Sequence, residues 1–221
     1  MAGIQELNYN RAVFRRLTLA AAVALSIAAP LPARDARGAP PAGPVVFVGS
    51  SIFHRWTALS RQMAPLPVVN LAFDGAQTDD MLRLIGFRIV PYKPKVIVYY
   101  CGSNDVDAGE PAGPIFDRVR QFIDRARTEL QDVHVVFVSV IRAPEKRSRW
   151  DVVDELNRRV AAHGSGLTRF DFVDVNPLVF APDGTPRFDL YLSDQLHFRP
   201  QAYEAFAAVI KPVVTRAFER Q

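Results

Sequence analysis

Uncharged apolar runs alternate with amphipathic stretches through residues 45–218 of the chain. Val45–Val48 is a compact apolar run that ends abruptly at Gly49, the pattern of a buried strand. Val68–Leu71 is a shorter strand of the same kind, and Asp79–Val90 then places Leu82, Ile85, Phe87 and Ile89 at helical spacings, with Pro91 as the stop. Val96–Tyr100 is β-branched and aromatic without alternation, so both of its faces should be covered. Pro114–Leu130 carries Ile115, Val119, Phe122, Ile123, Ala126 and Leu130 on one face, with proline near its start, and predicts a helix. Val133–Val140 predicts the next strand. Trp150–Ala162 predicts a helix with Val153, Leu156 and Val160 inward and His163-Gly164 as its end. Phe170–Val173 is a last short strand, and Pro200–Phe218 a closing helix with Pro212 as a point of kinking. Strand and helix alternating in this way specify a parallel sheet wrapped by helices, in one domain. Ligands of such sheets collect outside the carboxyl ends of the strands, so the chemistry should lie just after each strand.

Four polar clusters stand at those places. Gly49-Ser50-Ser51-Ile52 follows the first strand, Asn70 through Gly75 the second, and Gly102-Ser103-Asn104-Asp105 the third, while Asp194-Gln195-Leu196-His197 precedes the closing helix. Each alone is a common turn or cap; their joint placement is what carries information. A serine hydroxyl is a weak nucleophile until a histidine accepts its proton, and the histidine needs a carboxylate to fix its tautomer. Asp194 and His197 are three residues apart, close enough for one turn to join them. The oxyanion of a tetrahedral intermediate needs donors, and the backbone N–H groups of Ser51 and Gly75 and the Asn104 amide are suitable ones.

With these four blocks in this order over residues 45–203, the sequence resembles the SGNH, or GDSL-type, hydrolase family. The resemblance places Ser51 as nucleophile, Asp194 and His197 as its acid–base partners, and Ser51, Gly75 and Asn104 in the oxyanion hole. It implies a flavodoxin-like three-layer α/β/α sandwich with a central five-stranded parallel sheet, and ester hydrolysis with no metal and no cofactor. Two positions depart from the family pattern: Ser50 stands where the usual residue is Asp, and Ala72 where the second block usually has its first glycine. Neither supplies the proposed triad or an oxyanion donor, and Gly-Ser-Ser looks like a subgroup variant. An acyltransferase would use the same residues, passing the acyl group to an alcohol; a lysophospholipase-like esterase and a non-catalytic glycan-binding module are the other readings. The G-x-S-x-G elbow of α/β-hydrolases is absent.

Composition narrows the rest. With 221 residues, 49% hydrophobic and 23% charged, the chain is neither disordered nor a stapled miniprotein. The net charge of +4 is concentrated at the start: five of the 27 basic and two of the 23 acidic residues lie in residues 1–38, leaving a net of +1 elsewhere and no footprint for nucleic acid. Arg11, Arg15 and Arg16 precede an uncharged run of 13 residues, Leu17–Ala29, shorter than the roughly 18 needed to span a bilayer. Residues 1–38 therefore read as a signal peptide and processing region, residues 39–221 as the hydrolase domain, and the protein as exported, periplasmic or secreted, without a stable membrane anchor. Cys101 has no thiol partner and reads as a buried small hydrophobe. His54 reads as a wall or surface residue, and neither His134 nor His163 has partners at metal-ligand spacing. The connections at the active edge, Cys101–Gly113 and Asp174–Arg199, are short or polar, which points to a small-molecule or glycan ester with a short acyl group.

Overall fold

The computed structural model describes residues 43–220; the leader and processing region expected over residues 1–38 lie outside them. Five strands form a single parallel sheet: β1 (Val45–Gly49), β2 (Val68–Asn70), β3 (Val96–Tyr100), β4 (His134–Val138) and β5 (Phe170–Val173), in the order β2-β1-β3-β4-β5. The register sets Val45 beside both Val68 and Val96, and Val96 beside His134. The three inner strands are buried at every residue, as the apolar runs of β1 and β3 and all of β4 after His134 require, while β2 and β5 at the edges are only partly covered.

Alternate residues of each strand serve different layers. Val45, Phe47, Val96, Val98 and Val136 point to one face, where they pack with Ile52 and Phe53 of α1 (Ser51–His54), Leu59 and Met63 of α2 (Leu59–Met63), and Phe206, Ile210 and Val214 of α7 (Pro200–Glu219). Val46, Val48, Ile97, Tyr99, Val135 and Phe137 point to the other. They meet Met81 of α3 (Thr78–Leu84), Ile115, Val119 and Phe122 of α5 (Ala112–Glu129), and Val153, Leu156 and Val160 of α6 (Trp150–Gly164). A short helix, α4 (Ser103–Asp107), follows β3 directly. This is the three-layer α/β/α sandwich that the sequence implies. Right-handed crossovers account for the division: the chain leaves β1 toward β2, then jumps back over β1 to β3, so the intervening helices fall on opposite faces. The reversal opens a crevice at the carboxyl ends of β1 and β3.

The structure departs from the predicted elements in a few places. The helix expected over Asp79–Val90 ends as α3 at Leu84, then passes into a π-helical turn, Ile85–Ile89, and a 3₁₀ turn, Val90–Tyr92, that contains Pro91 instead of stopping before it. Lys93, with φ of 46°, ends the run. Phe87 is 66% exposed, because a residue two positions from the buried Ile85 lies on the opposite side of the turn. β4 stops at Val138, and Ser139 and Val140 turn their polar groups to Asp174 and Asn157. Gly164 closes α6 for a packing reason: a Cβ there would lie 2.0 Å from the Phe170 ring. α7 continues as one helix through Pro212.

Candidate active site

β1 ends in a sharp turn that only glycine can make. Gly49 has φ of +132°, and a Cβ on it would lie 1.7 Å from the Tyr100 carbonyl oxygen of the neighbouring strand. Ser50 N–H donates to that same oxygen at 3.1 Å and is buried, so the chain is pinned to β3 as it leaves the sheet. Ser51 is the first residue of α1 and lies outside the strand end. Its Oγ is 2.9 Å from His197 Nε2, and His197 Nδ1 is 2.7 Å from Asp194 Oδ2. Asp194 Oδ1 accepts the backbone N–H groups of Leu196 at 3.0 Å and His197 at 2.9 Å. The network assigns the proton of neutral His197 to Nδ1, donated to Asp194, and leaves Nε2 to accept from Ser51. Burial pulls the Asp194 carboxyl upward, but the His197 ring and the two backbone N–H groups outweigh it and hold it at about 2.

The turn that carries Asp194 and His197 is the tip of a small antiparallel ribbon. Leu192 N–H donates to His197 O at 2.7 Å, Tyr191 bridges to Phe198, and Arg199 N–H donates to Leu190 O at 2.8 Å. Gln195, between the two, sits in the left-handed region at φ of +56°, and its N–H donates to Leu192 O at 3.0 Å. His197 is 8% exposed. The segment is less polar than its composition suggests, since Phe188 and Leu192 are 52% and 38% exposed.

Gly75 reaches the same edge on the loop after β2, and Asn104 in α4 directly after β3, so both come from the two strands that flank β1. The Gly75 loop is fastened on both sides. Asn70 Nδ2 donates to Phe53 O at 2.7 Å, and Phe73 N–H donates to Gly49 O at 3.0 Å, joining the loop to the Ser51 turn. Asn104 Nδ2 donates to Ala76 O at 2.8 Å, and the buried Cys101 thiol donates to the same oxygen at 3.3 Å. One hydrogen of the Asn104 amide is thus committed to the residue after Gly75, which leaves the second as a donor. Gly75 itself has φ of +76°, the left-handed conformation that turns the loop. Among the described residues, the N–H groups of Ser51 and Gly75 have no hydrogen-bond acceptor.

Beneath Asn104 lies a group that sequence patterning does not reveal. Asp105 is fully buried and accepts from Thr78 N–H at 3.0 Å, from Thr78 Oγ1, and from Arg118 Nη2 at 3.0 Å. Arg118 also donates to Thr78 Oγ1 at 2.7 Å and to Glu110. Burial would lower the guanidinium's pKa, but hydrogen bonds to Glu110 and Asp105 raise it. Arg118 sits among the apolar-face positions of α5, and only that unusual placement marks it in the sequence.

Other histidine and aromatic residues have places of their own. His54 is exposed with Nδ1 3.0 Å from Ala72 O, and His134 is paired with Asp171 at the opposite end of the sheet. Phe53 and Trp56 are core residues, and Trp150 is half-buried with its indole N–H on Ala143 O at 2.8 Å. Among the described residues, no three His, Cys, Asp or Glu side chains converge as a metal-ligand set, and no helix is long and apolar enough to cross a membrane. A recess of about 110 Å³ between the residues after α1 and the start of α7 is lined by Arg55, Trp56, Thr57, Gln62, Phe198 and Tyr203 among others, and by none of the triad or oxyanion candidates. A broader cleft, between Lys93 and Asp132, opens at the amino ends of β3 and β4, away from Ser51.

No curated protein matches the sequence. Solved structures do match the fold. A GDSL-like lipase from Bacteroides thetaiotaomicron is 20% identical with a TM-score of 0.68, covering 79% of this chain and 89% of its own. A carbohydrate esterase family 3 protein from Talaromyces cellulolyticus is 15% identical with a TM-score of 0.62, covering 80% and 99%. An acetyl esterase variant solved with acetate ion is 15% identical with a TM-score of 0.63, covering 80% and 98%. The model of the GDSL-like lipase/acylhydrolase family matches residues 38–205, most of the chain. Sequence blocks, sheet order and family match agree, and the chain belongs to the GDSL-like lipase/acylhydrolase family.

Proposed function

We propose that the protein is an exported serine esterase that hydrolyses carboxylic esters through an acyl-enzyme, with a short acyl group such as acetyl on a small alcohol or a glycan. The observation that carries this reading is the hydrogen-bonded chain from Ser51 through His197 to Asp194. Ser51 Oγ attacks the ester carbonyl carbon while its proton passes to His197 Nε2, and Asp194 stabilises the imidazolium that results. The carbonyl oxygen takes up the negative charge and is met by the N–H groups of Ser51 and Gly75 and the free hydrogen of the Asn104 amide. Collapse of the tetrahedral species breaks the bond to the alcohol, which leaves with the proton from His197. Water then repeats the sequence on the acyl-serine, giving up a proton to His197 and releasing the acid as Ser51 regains its hydrogen. The nucleophile is made by a histidine base, so the reaction needs no metal or cofactor from the chain.

A short acyl group is supported by the short connection Cys101–Gly113 and by the polar residues Asp183, Arg187 and Asp189 of the second connection at the active edge. Each buried CH₂ gains its ~0.8 kcal/mol only against an apolar wall. The likeness to a carbohydrate esterase and an acetyl esterase supports the same choice. One observation favours a second reading, a lysophospholipase-like esterase: Phe188 and Leu192 stand exposed on the segment that carries Asp194 and His197. Export rests on the basic, then apolar, leader of residues 1–38. The test is a fluorophosphonate probe, which should label the wild type and leave Ser51→Ala unlabelled. A wild type that never reacts, or equal labelling of Ser51→Ala, removes the nucleophile assignment.

A further inference from the structure

The 3₁₀ segment Pro144–Arg149, after β4, touches both halves of the candidate site. On one side it meets α4, the helix whose second residue is Asn104. Lys146 Nζ lies 2.9 Å from Asp107 Oδ1 at the far end of α4, and Arg149 Nη2 donates to Glu110 O at 2.9 Å just beyond it. On the other side it meets the turn between Asp194 and His197, where Glu145 N–H donates to Gln195 O at 3.3 Å. Lys146 Nζ closes the circuit by pairing with Glu145 Oε2 at 3.1 Å. Its side chain is 5% exposed, whereas those of its partners Asp107 and Glu145 are 59% and 41% exposed. Lysine is almost never this buried unless paired, and ordering its stem costs about 1.5–2 kcal/mol of rotamer freedom. That cost is met where one ammonium group ties the helix bearing Asn104 to the segment that is hydrogen-bonded to Gln195, between Asp194 and His197.

From this juxtaposition we propose that Lys146 is a positioning residue, which holds the Asn104 amide and the His197 imidazole in fixed relation across the crevice. It rests on the esterase reading above, because those two groups must address one substrate carbonyl and its leaving oxygen in the same event. Small misplacement of such groups costs rate more than binding. Lys146→Met removes the charge and keeps the stem, while Asp107→Asn removes the exposed partner without disturbing the core. With p-nitrophenyl acetate, Lys146→Met should lower kcat about tenfold and leave KM within about twofold. Asp107→Asn should lower kcat several-fold, and the double variant should be no slower than Lys146→Met alone, since the two act through one contact. Hydrogen exchange at the Leu196 and His197 amides should quicken in both single variants, whatever the substrate. Unchanged kcat and exchange in folded Lys146→Met overturn the proposal. So does a loss confined to KM, which would make Lys146 a substrate contact, and so do additive effects in the double variant. If Lys146→Met fails to fold, Asp107→Asn decides by the same two readouts. A wild type with no turnover of p-nitrophenyl esters and no fluorophosphonate labelling defeats the esterase reading, and the exchange measurement still tests the coupling.

Discussion

Replacing Asp194 by asparagine asks the most of the hydrogen bonds around His197, because the change is nearly isosteric and its effect is one of proton placement. One oxygen of Asp194 accepts two backbone N–H groups, from Leu196 and His197, and the other accepts from the imidazole. An asparagine must keep its oxygen toward the two N–H groups, so its NH₂ replaces the oxygen that faces Nδ1. Nδ1 then accepts, and the ring proton moves to Nε2, 2.9 Å from Ser51 Oγ. There it can donate to the serine but cannot take its proton. Loss of the base through the wrong tautomer lowers kcat on the order of 10³–10⁴-fold, or roughly 4–5.5 kcal/mol of barrier. The assay is kcat and KM on p-nitrophenyl acetate from pH 5 to 9, with circular dichroism to show that the variant folds. With its carboxyl held at about 2, Asp194 stays ionised over that range, so the wild-type profile carries no limb from it. The same shift sets a sign for stability. A folded carboxyl held below its unfolded value of about 3.9 contributes stability above that pH, lost as pH falls toward 2. A folded Asp194→Asn enzyme with more than a tenth of wild-type kcat would refute the assignment of the proton.

Three further outcomes are expected. Asn104→Ala should lower kcat by about 10²–10³, some 3–4 kcal/mol, with little change in KM, because its amide meets charge that develops in the transition state; steady-state kinetics on the folded variant that show normal kcat would take Asn104 out of the oxyanion site. Asp105→Ala strands a buried Thr78 N–H and removes one carboxylate from Arg118; it should cost about 3–5 kcal/mol, lowering the calorimetric midpoint by roughly 10 °C, and a shift under 2 °C would contradict that role. Across p-nitrophenyl esters of about two to sixteen carbons, kcat/KM should be highest at two to four; a climb beyond eight, abolished by Phe188→Ser with Leu192→Ser, would favour the lysophospholipase-like reading instead.

The interior of this fold is legible because its signal is local and repeated. Val45–Val48 and Val96–Tyr100 have no polar residue to turn toward solvent, and the sheet buries both faces of each. The turn joining Asp194 to His197 is equally local, since three residues suffice to bring carboxylate and imidazole together. Phe87 shows how a spacing can mislead: it lies near apolar neighbours in sequence but two positions from Ile85, which puts it outside. Long-range polar contacts leave no such trace. Ser51 and His197 are 146 positions apart, and only the order of the four blocks suggests that they meet. Lys146 has the spelling of an ordinary solvated charge, and Arg118 is marked only by its place among the apolar-face positions of α5. Their burial depends on Asp105 and Asp107, carried on a short helix that follows β3 and arrives from another part of the chain.

The ribbon that ends in Asp194 and His197 has a mechanical consequence. Its rungs at Leu190–Arg199, Tyr191–Phe198 and Leu192–His197 are made within ten consecutive residues. The carboxylate and the imidazole therefore travel as one rigid tooth, joined to the rest of the site by the His197–Ser51 contact and by Glu145 N–H on Gln195 O. Gentle warming or dilute denaturant should disengage the tooth while its own hydrogen bonds survive. Inactivation of this kind should precede unfolding and reverse on cooling, as a clutch slips before any gear breaks.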